Sequence, residues 1–225
     1  MTVLHLADEG EAADLAAFLS RLLHYDRSAA VRLQAAGTAL AVFGRPPSFE
    51  VLAIRAVRLA KPYEHGLDVT LDVTVSAGEL LESVDEQAAT AAVPAAVTGP
   101  PWAGVLPPRG GWLPEPGLPA PDELRATVRA AVAEFRGRTQ ELAPEGRTRA
   151  ELDRIGREIW SRTVGDTRLP VRAVHAAQSL GFLRPTHDVG DLALVSSGGW
   201  LRLRTAYGSI AVRRAGLGAL DVSVR

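Results

Sequence analysis

Hydrophobic side chains recur near the start of the chain with the spacing of an amphipathic helix. Asp8 and Glu11, three positions apart, resemble the capping arrangement that begins a helix. The apolar residues that follow occupy the i, i+3, i+4, i+7 and i+8 positions, so they share one helix face. The pattern therefore predicts a first helix with one buried face, formed by Leu15, Phe18, Leu19, Leu22 and Leu23.

The next segments have the composition of β-strands. The ranges 30–35, 38–43 and 49–59 are mainly apolar and are separated by glycine and proline turns. In 68–76 polar and apolar residues alternate, which predicts a fourth strand with one wet face. The third strand is apolar on both faces apart from two arginines, so we place it centrally. We expect a four-stranded antiparallel meander under the first helix, followed by a short helix over 76–87.

Residues 88–121 differ from the rest of the chain because prolines and glycines follow one another closely. Proline fixes φ and removes a backbone donor, so neither a helix interior nor a sheet interior is expected here. Trp102 and Trp112 argue against a disordered linker, since a solvated linker has little use for indole rings. We expect this connector to lie against the folded body or another subunit, with both indoles partly buried.

Three helices are predicted in succession after the connector. Each has a local start signal, either a proline in the first turn or a threonine whose side chain caps the helix. Each also has a glycine placed to end it. The signals are, in chain order, Pro121 with Gly137, the capping box of Thr148 and Glu151 with Gly165, and Pro170 with Gly181.

Short strands over 192–195, 200–205 and 209–213 complete the prediction. The fold class is α+β: an N-terminal helix on an antiparallel meander, a Pro/Trp-rich connector, then helices followed by a small antiparallel sheet, an order like that of a winged helix. Glycine turns and arginine-tipped strands recur in both groups of strands, so one larger sheet formed by both groups is the alternative. The predicted units are 1–90, the docked connector over 91–120, and 121–225.

Composition limits the classes of function. The chain has 225 residues, no cysteine and a net charge of −1. The lack of cysteine excludes disulfides, thiolate nucleophiles and cysteine-ligated metals. No apolar run is long enough for a membrane helix, and the first residues are acidic where a secretory signal is basic. We therefore expect a cytoplasmic protein that does not bind membranes.

The charge is divided unevenly along the chain. Residues 1–120 contain 8 Lys and Arg against 14 Asp and Glu, a net charge of −6, whereas residues 121–225 contain 17 against 12, a net charge of +5. This asymmetry favours attraction between the two halves or between subunits. Contact of the second half with a polyanion is the alternative.

A DNA-binding function is one hypothesis, because helices followed by a hairpin are the order of a winged helix. The arginines would contact phosphates, and the third helix of this half would read bases. The residues that would carry this function are Arg172, His175, Gln178, Arg202 and Arg204.

An enzyme with a histidine and carboxylate site is another hypothesis. His65 precedes Asp68 and Asp72, which share the polar face of the fourth strand. A carboxylate can orient an imidazole that acts as a general base. These three residues are weak catalytic candidates, because no known catalytic, metal-binding or nucleotide-binding motif accompanies them. We expect no metal ion and no cofactor.

Four short motifs make the chain similar to a family of uncharacterised proteins from high-GC Gram-positive bacteria. The resemblance covers most of the chain, and it implies a bacterial cytosolic setting but no activity or site residue. The motifs are PPRGGW at 107–112, EIW at 158–160, AAQSLGFL at 176–183 and GWLRL at 199–203.

The favoured hypothesis is a non-enzymatic binding or assembly protein, because rigid prolines and tryptophans of the buried type are features of packing and interfaces. The connector residues Trp102, Arg109 and Trp112 would form part of the interface. The partner would be a second copy of the chain or another protein.

Overall fold

Helices and antiparallel sheets together form the fold, and the α+β class predicted from the sequence is confirmed. The structure is a computed structural model that describes residues 2–61, 71–184 and 192–214. The helices are α1 (Glu9–Tyr25), α2 (Ala77–Glu82), α3 (Pro121–Glu141), α4 (Arg149–Trp160) and α5 (Val171–Ser179).

Turns of 3₁₀ helix and short β-strands make up the rest of the described secondary structure. The 3₁₀ turns lie at Pro47–Phe49, Pro101–Gly104 and Pro144–Gly146. The strands are β1 (Val3–His5), β2 (Ala30–Ala36), β3 (Ala39–Gly44), β4 (Leu52–Arg58), β5 (Leu71–Ser76), β6 (Val84–Asp85), β7 (Thr90–Ala92), β8 (Leu113–Pro114), β9 (Ala193–Ser197), β10 (Trp200–Thr205) and β11 (Gly208–Arg213).

Local capping signals are confirmed at the predicted helix ends. The Asp8 side chain accepts a hydrogen bond of 2.9 Å from the backbone nitrogen of Glu11, and Thr148 caps α4 in the same way. Gly181, at φ +75°, follows α5 in the left-handed conformation that favours glycine. The predicted stop at Gly137 is wrong, since α3 continues to Glu141.

An eight-stranded antiparallel sheet joins strands from both halves in the order β5-β2-β3-β4-β11-β10-β9-β8. The central place expected for β4 is confirmed, because β3 and β11 flank it. The fourth strand differs from a meander: β5 pairs with β2, since β11 occupies the free edge of β4. A second sheet has the order β1-β7-β6. Its strand β6 follows α2 closely, so α2 is shorter than the helix predicted over 76–87.

The large sheet has two differently covered faces. Alternate residues of one strand enter different clusters: Ala53 packs in the main core beneath the helices, whereas Leu52 and Ile54 lie on the other face. Helices α1 and α5 contact the core side at β4 and β11. We call the other side the open face. Its apolar patch consists of Phe43, Leu52, Ile54 and Ala211, with Ala41, Trp102, Leu106 and Trp200 packed against it.

Residues 96–112, which we call the strap, cross the open face from one sheet edge to the other. At the β5 edge, the backbone nitrogen of Val97 donates to the carbonyl of Thr74 at 2.9 Å. At the opposite edge, the Ser197 hydroxyl donates to the carbonyl of Gly110 at 3.2 Å. The chain then continues into β8, which pairs with β9. The strap and the sheet therefore enclose space between them.

A buried ion-pair network lies beneath α1. The Arg55 side chain is only 6% exposed. Its guanidinium donates to Glu11 at 2.8 Å and to the carbonyl of Tyr207 at 2.7 Å, and it lies 3.4 Å from Asp14. A single side chain of β4 thus links α1 to the turn between β10 and β11, and so links the two halves of the chain.

The Arg55→Leu variant is expected to lose about 3 kcal/mol of unfolding free energy, because Glu11 would keep its charge in a largely buried site without this partner. Arg58→Leu is the matched control, since Arg58 pairs with the same Glu11 but its side chain is 72% exposed. Urea denaturation measures both variants. Equal stability of the two variants would contradict the role assigned to Arg55.

Candidate functional site

One guanidinium fastens the strap to two strands of the sheet. Arg32 of β2 pairs with Asp72 of β5 through two hydrogen bonds of 2.7 and 2.9 Å, and it also donates to the carbonyl of Ala103 in the strap. Hydrogen bonding from Arg32 is the main cause that holds the pKa of Asp72 below its usual value. Asp72 is therefore a charged partner of Arg32 at neutral pH.

A close backbone approach at Gly99 and the packing of the Trp102 indole also attach the strap to the sheet. A Cβ placed on Gly99 would lie 3.2 Å from the Thr74 hydroxyl oxygen, so a glycine allows the strap to run close to β5. Trp102 is half-buried and packs on the apolar patch of the open face. Trp112 is also half-buried, and its indole nitrogen donates to the carbonyl of Pro108 at 3.1 Å.

Two indoles, Trp102 and Trp200, line a cavity of about 550 Å³, which we call the tryptophan cleft. Leu52 and Ala211 of the sheet lie at its base, between the strap and the start of α5. Arg213 lies over the Trp200 ring, with 5.1 Å between the guanidinium carbon and the ring centroid. The side chains that give the cleft its chemistry are Arg45, Glu50, Trp102, Arg172, Trp200 and Arg213.

The tryptophan cleft has an excess of positive charge, because its described lining contains three arginines and one carboxylate. Glu50 is 4.0 Å from the Arg172 guanidinium, but its side chain is 73% exposed. The buried Nε atom of Arg172 has no hydrogen-bond partner among the described residues. An anion in the cleft would meet guanidinium groups beside aromatic surface.

A second cavity lies under the other end of the strap. Its volume is about 250 Å³, and we call it the arginine groove. Pro107 and Pro108 of the strap form one side, while Arg109 and Arg202 supply its charged groups. Arg202 also lies over the Trp112 ring at 5.6 Å. The strap thus separates two cavities that both contain arginines.

The structure does not bring the five residues of the DNA-binding hypothesis onto one surface. Arg172 lines the tryptophan cleft, His175 lies between two aromatic rings, and a buried amide oxygen of Gln178 has no partner in the described structure. Arg202 and Arg204 point to the open face, on the other side of the sheet from α5. Five of the nine α5 residues are buried, so this helix is packed rather than projecting.

Acidic partners neutralise part of the positive charge of the second half. Carboxylates of α3 and α4 form a surface network with three arginines. Such exposed pairs stabilise little, yet they reduce the net charge offered to a polyanion. The network consists of Glu134, Arg138, Glu151, Arg154, Glu158 and Arg162.

Of the catalytic candidates, His65 and Asp68 lie outside the described residues, and Asp72 pairs with Arg32. Within residues 2–61, 71–184 and 192–214, no group of three or more His, Asp or Glu side chains is arranged to hold a metal ion. Across the same ranges, none of the helices has both the length and the apolar character that a membrane span requires.

Sequence reasoning singled out Trp102, Arg109 and Trp112, and the structure places all three on or beside the two cavities. It missed Trp200 and Arg213. Their signal was present in the strand alternation, because Leu201 and Val212 point to the core and the adjacent Trp200 and Arg213 therefore point to the open face. Arg45, which is in a proline-rich turn, gave no such signal.

Comparisons with known proteins identify two domains and no activity. Residues 1–104 match the family described as Domain of unknown function (DUF8010), and residues 107–217 match the family described as Domain of unknown function (DUF8185). The boundary between the two matches falls within the strap. No curated protein and no solved structure matches the chain significantly. The function must therefore be argued from the site itself.

Stability should fall as the pH drops through the region just below 6.5, because burial lowers the pKa of His175 from its ordinary value of 6.5. His175 stacks on Trp160 at 4.7 Å and meets Phe49 edge to face at 5.0 Å. The unfolded chain takes up a proton on this histidine at a higher pH than the folded chain does, so acid favours unfolding.

Chemical denaturation between pH 8 and pH 5 measures this dependence, against the ordinary histidine pKa of about 6.5. His175→Phe keeps an aromatic ring in the stack and is expected to flatten the curve across this interval. An unchanged pH dependence in the variant would show that His175 is not the group responsible.

Proposed function

We propose that this chain is a non-enzymatic binding protein and that the tryptophan cleft takes a planar aromatic anion. The observation that supports this most directly is the combination of two indoles and three arginines around one cavity of about 550 Å³. Cavities of roughly 300–1,000 Å³ are typical of small-molecule sites. The size therefore suits a compact ligand better than a macromolecule.

Charge and shape narrow the class of ligand. The faces of Trp102 and Trp200 favour a flat, apolar ring, and guanidinium groups favour carboxylate, sulfonate or phosphate. Arg213 already lies over the Trp200 ring, so a ligand beside that ring meets a cation at once. A neutral ring would gain only the aromatic contacts.

The lining of the cleft supports binding rather than catalysis. Its described residues include no His, Asp, Ser, Thr, Tyr, Lys or Cys, and Glu50 is the one carboxylate among them. Nucleophilic and general acid or base catalysis depend on such groups. Arginine remains protonated at neutral pH and can stabilise charge, but it does not supply a proton acceptor.

Fluorescence titration with 1-anilinonaphthalene-8-sulfonate tests the proposal, because this dye combines aromatic rings with an anion. Saturable binding to one site is expected. The neutral analogue N-phenyl-1-naphthylamine should bind more weakly, and Arg213→Gln should weaken binding of the sulfonate roughly 10-fold or more, the effect of losing one charge-assisted hydrogen bond.

Arg129→Gln is the matched control, since Arg129 is exposed on α3 and lines neither cavity. It should bind both dyes as the wild type does. The proposal fails if the wild type shows no saturable binding, if both dyes bind equally well, or if Arg213→Gln retains wild-type affinity for the sulfonate.

Self-association is a second candidate function, supported by exposed apolar groups in the strap and just beyond it. Val97, Val105 and Leu113 are 39%, 46% and 68% exposed. Multi-angle light scattering should give about twice the chain mass of 23.9 kDa. The double variant Val97→Ser/Leu113→Ser, which lies outside both cavities, should shift the mass to that of the single chain, whereas a wild-type monomer would refute this candidate.

A further inference from the structure

Arg202 is a half-buried cation that the protein leaves without a carboxylate partner among the described residues. Its Nε atom donates to the hydroxyl of Ser209 at 2.8 Å, which orients the guanidinium but does not neutralise it. By contrast, Arg55 and Arg184 each contact an aspartate or a glutamate. Buried charges are normally paired, so the arrangement at Arg202 needs an explanation.

Neighbouring positive charges make the binding of an anion beside Arg202 more favourable. Burial lowers the pKa of Arg202, and the charge of Arg204, two residues further along β10, adds to this effect. Arg109 of the strap lines the same cavity. Asp72, a carboxylate on the same face, is engaged by Arg32 and by the Gln34 amide at 3.1 Å.

The surface beside Arg202 is mainly apolar, although Gln34 also lines the groove. Side chains of β3 and β4 form the base of the arginine groove, and strap prolines form its wall. At about 250 Å³ the groove is smaller than most sites for drug-sized ligands. The base consists of Ala39, Ala41, Phe43 and Ile54.

We infer that the arginine groove binds a small carboxylate with a short apolar body, the carboxylate at the Arg202 guanidinium and the apolar part on the base of the groove. A planar guanidinium matches the two oxygens of a carboxylate. Arg109, which is exposed, supplies a second positive charge at the outer side. A free phosphate satisfies the charge but gains nothing from the apolar base.

This site is separate from the tryptophan cleft, because the two cavities share none of their described lining residues. The inference therefore does not rest on the proposed function. Either one can fail while the other holds, and the variants that test them are different.

Titration of the full-length, ¹⁵N-labelled protein with butyrate tests the inference. The Nε–Hε resonance of Arg202 should shift and saturate at millimolar butyrate, and the midpoint of thermal unfolding should rise with butyrate concentration, because the ligand binds the folded state. Butanol, which lacks the charge, should have no effect. Inorganic phosphate should bind about 10-fold more weakly or not at all.

Two variants separate binding from folding. Arg202→Gln should weaken butyrate binding about 10-fold or more, and Arg109→Gln, at an exposed position, should weaken it less without changing the fold. Arg129→Gln should behave as the wild type. If Arg202→Gln fails to fold, the Arg202 resonance of the wild type and the affinity of the Arg109→Gln variant still show whether butyrate binds in the arginine groove.

The inference is wrong if butyrate produces no saturable shift at Arg202, or if Arg109→Gln and Arg129→Gln bind it equally well. Phosphate binding as tight as butyrate binding would replace the carboxylate with a general anion and overturn the ligand class stated here.

Discussion

Three residue pairs between β4 and β11 join the two halves of the chain into one sheet. They are Leu52 with Ala211, Ala53 with Ile210, and Ile54 with Ser209. Both cavities depend on this junction, because the tryptophan cleft contains Leu52 from one half and Trp200 from the other, while the arginine groove contains Ile54 and Arg202. Without the junction, neither set of lining residues would meet.

The strap is the second requirement, since a flat sheet face alone would enclose no cavity. It is attached through a backbone hydrogen bond from Val97 at the β5 edge, through the Ser197 hydroxyl at the opposite edge, and through Arg32 in between. Prolines suit this role, because their fixed φ limits the conformations the strap must lose on folding. The proline-rich composition of residues 88–121 thus has a structural role, because this segment holds two indoles and Arg109 above the sheet.

Local signals were enough to predict much of the fold. The periodicity of α1, the Thr148 cap and the hairpin strands near Trp200 depend on neighbouring residues, and each was predicted close to its observed position. One sheet formed by both groups of strands was only the alternative, and the pairing of β4 with β11 was not predicted, because several apolar edges could have paired equally well with β4. The candidate site was therefore predicted less completely than the fold. Trp102, Arg109 and Trp112 stood out by composition, but the exposed Arg213 gains its meaning only from Trp200 opposite it.

The same limit applies to Arg202, which the sequence assigned to a DNA contact. The strand alternation correctly turns Arg202 away from the core. The strap residues that line the groove beside it, however, come from the start of the second family match, whereas Arg202 lies near the end of that match.

Cross-strand nuclear Overhauser effects between residues 52–54 and 209–211 test the central junction most directly. The structure predicts strong effects for the pairs Leu52 with Ala211, Ala53 with Ile210, and Ile54 with Ser209. Their absence in the folded protein would show that the two halves do not share a sheet, and both cavities described above would lose their basis.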